Sequence, residues 1–328
     1  MAISGIPALL SLVLTALVFA LTASLAHAQP YPAKPIRLVV TSPPGGSQDF
    51  LARLLGAALT PALGQQVLVD NRIGASGVIG VDFVAKASPD GHTLLLGGAG
   101  TVVIVPVLKT KIPFDTLRDF APITMVASGP FALVVHPSVP AKSLKELIAI
   151  AKAKPGSLNY GSSGAGASPH LAAELLQSMT GINLVHIPYK GVGPALTDVI
   201  GGQIDVMFAD VHLVLAHAKA GKLRVLAVTS PQRSKAMPET PTVSEAGVPG
   251  YAAGTWFGVL APAGTSPEII GRLNSEIGKV LAHASLRERL STQGIEPGAS
   301  TPEQFGAHLR SEFEKWRKLA RTANIRLE

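Results

Sequence analysis

Residues 36–50 read IRLVVTSPPGGSQDF, and this stretch decides the fold. IRLVVT (36–41) is an unbroken apolar run behind Pro35, the pattern of a strand buried on both faces. It ends in a turn of Pro and Gly. Ser47 then stands where an N-cap belongs, and Phe50, Leu51, Leu54, Leu55, Ala58 and Leu59 recur at helical spacing. The grammar continues with the strand QVLVD (66–70), a glycine-rich turn, a helix to Ala87, the turn Pro89-Asp90-Gly91 and the strand TLLL (93–96). This βαβαβ alternation predicts a parallel, doubly wound sheet with right-handed crossovers.

The middle of the chain repeats the pattern. Strands are expected at Phe131–His136, Leu158–Tyr160, Val185–Ile187, Ile204–Phe208 and Leu223–Val228, with helices at Pro169–Thr180, Pro194–Gly201 and Val211–Ala220 between them. Ser143-Leu144-Lys145-Glu146 is a capping box that opens a further helix. A Pro- and Gly-rich stretch, Ser230–Gly254, precedes a strand at Trp256–Ala261 and two helices opened by Ser266-Pro267 and Thr301-Pro302. One strand and two helices are too little for a domain, so the C-terminal part should pack back on the N-terminal one. The expected division is residues 29–126 with 230–328 as one α/β lobe and 127–229 as the other, joined by a double crossover that leaves a cleft.

The first 28 residues carry no acidic or basic side chain, and an apolar run from Leu9 to Leu25 ends in Ala26-His27-Ala28. That box predicts a signal peptide cleaved after Ala28 and a periplasmic mature protein; retention as a membrane anchor is the alternative. With 47% hydrophobic and 15% charged residues the chain is not a disordered tail protein. The absence of Cys removes thiolate metal sites, disulfides and a Cys nucleophile. The net charge of +7 is spread over all three segments, whereas a nucleic-acid surface would cluster it.

Two loops could carry chemistry. Ser42-Pro43-Pro44-Gly45-Gly46-Ser47-Gln48-Asp49 follows the first strand, and Tyr160-Gly161-Ser162-Ser163-Gly164-Ala165-Gly166-Ala167-Ser168-Pro169-His170 lies between a strand of the middle lobe and its helix. Each lies at the carboxyl end of a strand, where open α/β sheets bind ligands, and each leads into a helix N-terminus that favours an anion. Neither holds Lys or Arg, so the donors on offer are main-chain N–H groups and hydroxyls. As ordinary βα turns they would need no ligand; one such loop per lobe points instead to an acid held between them. The glycines do not form a P-loop, and neither G-x-S-x-G nor S-x-x-K occurs. His212 and His217 are five apart, on different faces of a helix, and with Asp205 and Asp210 make a poor metal site. No cofactor is expected. Asp49 reads as bracing the first helical turn, while Tyr189-Lys190 could reach the cleft; Trp256 and Phe257 read as core.

With these loops the sequence resembles the periplasmic solute receptors of tripartite tricarboxylate transporters, the Bug family. The resemblance runs through PIRLVVTSPPGGSQD (35–49), VDNRIGASGVIG (69–80), ASPDGHTLLLGGAGT (87–101), NYGSSGAGASPHL (159–171) and HIPYKGVGPALTDVIGGQIDVMF (186–208), to APAGTSPEIIGRLN (261–274). It implies a type II periplasmic-binding-protein fold that closes on a small carboxylate held by amides, hydroxyls and waters. It also implies ligand contacts at Pro44, Gly45, Gly46 and Asp49, in the segment Gly161–His170, at Gly98 and Thr101, and at Tyr189. Thr41-Ser42, Gln48 and Ile73 depart from the family's usual residues. The full set of candidate contacts is Ser42, Pro44, Gly45, Gly46, Ser47, Asp49, Gly98, Thr101, Ser128, Ser162, Ser163, Gly164, Gly166, Ala167, Ser168, His170, Tyr189 and Asp210. The expected function is a monomeric receptor that captures a mono- or dicarboxylate and delivers it to membrane permease subunits. Its rivals are a sensor that presents the loaded form to a signalling partner, and a hydrolase or lyase using His170 or Asp49 as base.

Overall fold

The computed structural model describes residues 31–109 and 111–322; the apolar leader and the expected cleavage after Ala28 lie outside them. No described helix is long and apolar enough to cross a membrane. In chain order the strands are β1 (Ile36–Val40), β2 (Val67–Asn71), β3 (Thr93–Gly98), β4 (Phe120–Gly129), β5 (Phe131–Val135), β6 (Asn159–Ser162), β7 (Val185–Pro188), β8 (Val206–Asp210), β9 (Arg224–Val228), β10 (Thr255–Pro262) and β11 (Glu296–Pro297). They form two sheets, β11-β4-β10-β3-β1-β2 and β7-β6-β8-β5-β9.

The two sheets share one plan. Each has three parallel strands, β2-β1-β3 and β7-β6-β8, built from βαβαβ segments. Next to the third strand each receives an antiparallel strand that has just crossed from the other sheet: β10 beside β3, and β5 beside β8. The sheets are therefore mixed rather than wholly parallel, because a strand arriving from the opposite lobe enters from the opposite end. β4, which the sequence reading did not include, pairs with β10 in the first sheet with the short β11 at its outer edge, and β9 closes the second against β5. β4 continues past residue 127, so Ser128 and Gly129 stay in the first sheet before the chain crosses.

The continuous apolar runs are buried on both faces, as parallel-type strands require. In β5, Phe131, Leu133 and Val135 enter the cluster formed with Leu144, Leu147 and Leu176, while Ala132 and Val134 enter the one with Val199, Met207 and Val214. β8 divides in the same way, Phe208 to one side and Met207 to the other. In the first sheet Val39 and Leu95 pack with Phe305, Leu309, Phe313 and Trp316 of the C-terminal helix Pro302–Thr322. The carboxylate of Glu312, 8% exposed, fastens that helix: it accepts the indole N–H of Trp256 and of Trp316, each at 3.0 Å.

Candidate functional site

The turns after β1, β2 and β3 on one side and after β6, β7 and β8 on the other enclose a cleft of about 690 Å³. The first lobe contributes Thr41–Pro43, Gly46–Gln48, Ile73–Gly77, Gly98, Gly100 and Thr101; the second contributes Ser163–Ala165, Ala167–Pro169, Pro188–Val192 and Asp210. Val105, together with Phe131, Thr255 and Phe257 at the two crossings, completes the wall. Lys190 and Asp210 are the charged side chains among these residues, and no arginine is present.

Among the described residues, helices Ser47–Leu63, Ser168–Thr180, Val192–Ile200 and Val211–Lys219 begin in the cleft, as does Val78–Ala85 from Gly77, and none of them is capped by its N-cap side chain. Elsewhere caps are common. Asp115 accepts from the N–H groups of Leu117 and Arg118, Ser143 from Glu146, Ser266 from Ile269 and Thr301 from Gln304. The helix Ala284–Ser291, which follows directly on another helix, is an uncapped case away from the cleft. Orphan N–H groups at a helix start need a partner, and a helix N-terminus favours an anion.

Ser47 does not cap its helix. Gly46 takes the N-cap position, and the Ser47 hydroxyl reaches across the cleft to donate to Asp210 Oδ2. Burial pushes the Asp210 pKa up, against the opposing pull of His212 and the Ser47 hydrogen bond. A second crossing contact stacks Phe50 on His212 at 5.5 Å. Across the cleft Pro43 faces Gly191, where an added Cβ would lie 2.8 Å from Pro43 Cγ. The two lobes are closed on each other.

Several candidate residues stand behind the wall. Asp49 is 3% exposed and accepts from the Gly45 N–H at 3.0 Å, Asn71 Nδ2 at 2.9 Å and the Arg53 guanidinium. Burial alone would raise its pKa, but these bonds outweigh it and hold the carboxyl below its ordinary value. Its oxygens brace the first loop and do not line the cleft. Gly45, with φ of 81°, belongs to that brace, and Pro44 is likewise off the wall. In the second loop Gly166 N–H donates to His170 Nδ1 at 3.1 Å, so the neutral ring carries its proton on Nε2. His170 stacks on His186 at 4.1 Å, and His186 Nε2 lies 2.7 Å from Ser162 Oγ, which accepts the Gly164 N–H. Burial lowers the pKa of both imidazoles to about 4. Ser162, Gly166 and His170 thus shape the loop from beneath. Ser128 pairs with Trp256 and Glu296 inside the first sheet, away from the cleft wall.

The remaining candidates, Ser42, Gly46, Ser47, Gly98, Thr101, Ser163, Gly164, Ala167, Ser168, Tyr189 and Asp210, do line the cleft. Ser42 Oγ is buried there without a hydrogen-bond partner. The sequence reading omitted the turn Ile73–Gly77 as a wall. Ala75 and Ser76 there adopt left-handed φ of 49° and 58°, a strained conformation that clusters at ligand sites. The signal was Gly74 and Gly77 flanking them. Phe257, read as core, points into the cleft, while its neighbour Trp256 is the buried one. Among the described residues no group of three His, Asp or Glu side chains could hold a metal ion.

Two α/β lobes shut on a charge-poor cleft, where main-chain amides and hydroxyls outnumber the charged side chains of Lys190 and Asp210, make this a two-lobe solute-binding protein of the periplasmic-binding-protein fold. Residues 51–325 match the tripartite tricarboxylate transporter family receptor, and the chain belongs to that family. It is 40% identical to the protein BugT of Bordetella pertussis over 315 residues, covering 95% of this chain and 97% of BugT. The R. palustris protein Rpa4515, solved with adipate, superposes with a TM-score of 0.87 at 37% identity, covering 90% of this chain and 99% of that one. MatC from Rhodopseudomonas palustris, solved with malate, superposes with a TM-score of 0.83 at 29% identity, over 88% and 99% of the two chains. The family consists of periplasmic solute receptors and not of enzymes. The proposed bases accord with this: Asp49 is tied to Arg53 and His170 lies beneath its loop.

Proposed function

We propose that this chain is a periplasmic receptor that captures a small mono- or dicarboxylate between its lobes and hands it, as a monomer, to the permease subunits of a tripartite tricarboxylate transporter. In this reading residues 29–126 and 230–328 form one lobe and 127–229 the other, with the crossing itself beyond Gly129. The apolar leader, cleaved after Ala28, directs export. The ligand contacts are the cleft-lining candidates named above, joined by the Ile73–Gly77 turn, Lys190 and Phe257. One observation carries the reading: uncapped helix N-termini from both lobes converge on a cleft without arginine. The adipate and malate in the two relatives' structures support it.

The magnitudes agree. A hydrogen bond to a charged group contributes about 1.5–3 kcal/mol. Four to six of them give roughly 6–18 kcal/mol, against an association cost of about 4–15 kcal/mol. Micromolar capture needs about 8 kcal/mol net, within reach of amides and hydroxyls alone. A thermal-shift screen of mono-, di- and tricarboxylates tests the proposal. An acid present at about 100 times its Kd should add about 2.7 kcal/mol of stability. Stabilisation by sugars or cationic solutes with none by any acid would refute it.

A further inference from the structure

We propose that Asp210 makes the proton a co-ligand of this site: the closed cleft takes an organic acid as its carboxylate together with one proton, held on the Asp210 carboxyl. The inference rests on the carboxylate reading above and adds to it. Asp210 ends β8 in the N-cap position of helix Val211–Lys219, where an aspartate ordinarily accepts a first-turn N–H. Here its side chain makes no such cap and is turned to the cleft, where it meets the hydroxyl of Ser47, the first residue of helix Ser47–Leu63. An acid bound to the N–H groups of that helix therefore comes to rest one side chain away from a second carboxyl group. Closure removes the water between them. Two carboxyl groups sharing a site do not both stay ionised, and one takes a proton.

The surroundings leave Asp210 as the group that takes it. His212, on the same helix, is the titratable neighbour of Asp210, and burial favours its neutral ring by lowering its pKa. On the facing helix Asp49 and Arg53 are paired with each other. β5 sets Phe131 opposite Asp210, and Lys190, exposed, sits on the turn after β7. Burial already pushes the Asp210 carboxyl toward its neutral form. The balance is one ligand carboxylate, one ionised Asp210 and one proton from solvent; a single O–H bond forms, on Asp210, and nothing else breaks. The neutral carboxyl then donates to the ligand in a charge-assisted hydrogen bond.

Calorimetry of the protein with succinate, adipate, malate and citrate, in buffers of different ionisation enthalpy between about pH 5 and pH 9, tests this. At the alkaline end the binding acid should bring with it close to one proton, and Kd should rise about tenfold per pH unit. Asp210→Asn, whose amide donates where the protonated acid would, should lose both the uptake and the pH dependence, and His212→Gln should keep both. A pH-independent Kd without proton uptake in the unmodified protein overturns the inference. So does an uptake that survives Asp210→Asn and vanishes in His212→Gln. If no mono-, di- or tricarboxylate of the thermal-shift screen binds, the carboxylate reading itself falls; binding without a proton removes this inference alone.

Discussion

Gly191→Ala isolates lobe closure from the integrity of the ligand contacts. Gly191 lies in the second lobe, at the start of helix Val192–Ile200, and Pro43 in the first loop of the other lobe. A Cβ at 191 would sit 2.8 Å from Pro43 Cγ, far inside ordinary contact, and its φ of 121° suits no L side chain. The backbone strain, of order 1–3 kcal/mol, is present whether the lobes are apart or together and so lowers stability without changing affinity. The clash arises only on closing. Overpacking of this kind costs about 1–3 kcal/mol, which raises Kd roughly 5- to 150-fold. Trp256, adjoining the cleft residue Phe257, is the natural fluorescence reporter for the titration, and urea unfolding measures the stability loss separately. A variant that loses stability but binds with unaltered Kd would show that the bound form does not bring Pro43 and Gly191 together, and the closed arrangement would not be the one that holds ligand.

Glu312→Ala leaves two buried indole N–H groups without an acceptor, so urea unfolding should show a loss of about 2–6 kcal/mol, with Glu312→Gln milder. The His170–His186 stack makes the second lobe acid-sensitive. Because burial holds both folded-state pKa values at about 4, below the ordinary 6.5, the unfolded chain binds more protons between these limits. Stability is therefore fully present above about pH 6.5 and falls as pH drops toward 4, by up to about 1.4 kcal/mol per pH unit for each ring. Unfolding midpoints that stay constant over that range would contradict the buried, neutral assignment.

The order of elements and the position of both glycine loops could be read from the sequence, because each apolar strand and amphipathic helix carries its own period. β4 could not: FAPITMVASG contains a proline and lacks strict alternation, and its ladder depends on β10, some 130 residues away in the chain. The mixed direction of the sheets was hidden for the same reason, since only the crossings set which end a strand enters. Within the loops, sequence identifies which residues gather but not which face the ligand. Asp49, Ser162, Gly166 and His170 are as polar or as glycine-rich as their neighbours, yet they serve as supports one layer back. Ser47 shows the converse. It occupies a capping neighbourhood, and the approach of Asp210 from the other lobe draws its hydroxyl away. Such contacts between distant segments have no local signature.

A crystal structure with a bound acid identified in the thermal-shift screen tests most directly whether both lobes grip that acid. Its carboxylate should accept main-chain N–H groups from the Ser42–Ser47 turn and from the Ser163–Ser168 turn at once, with hydroxyls or waters completing the shell. An acid lodged outside the cleft, or one gripped chiefly by Lys190 or by a metal ion, would contradict it.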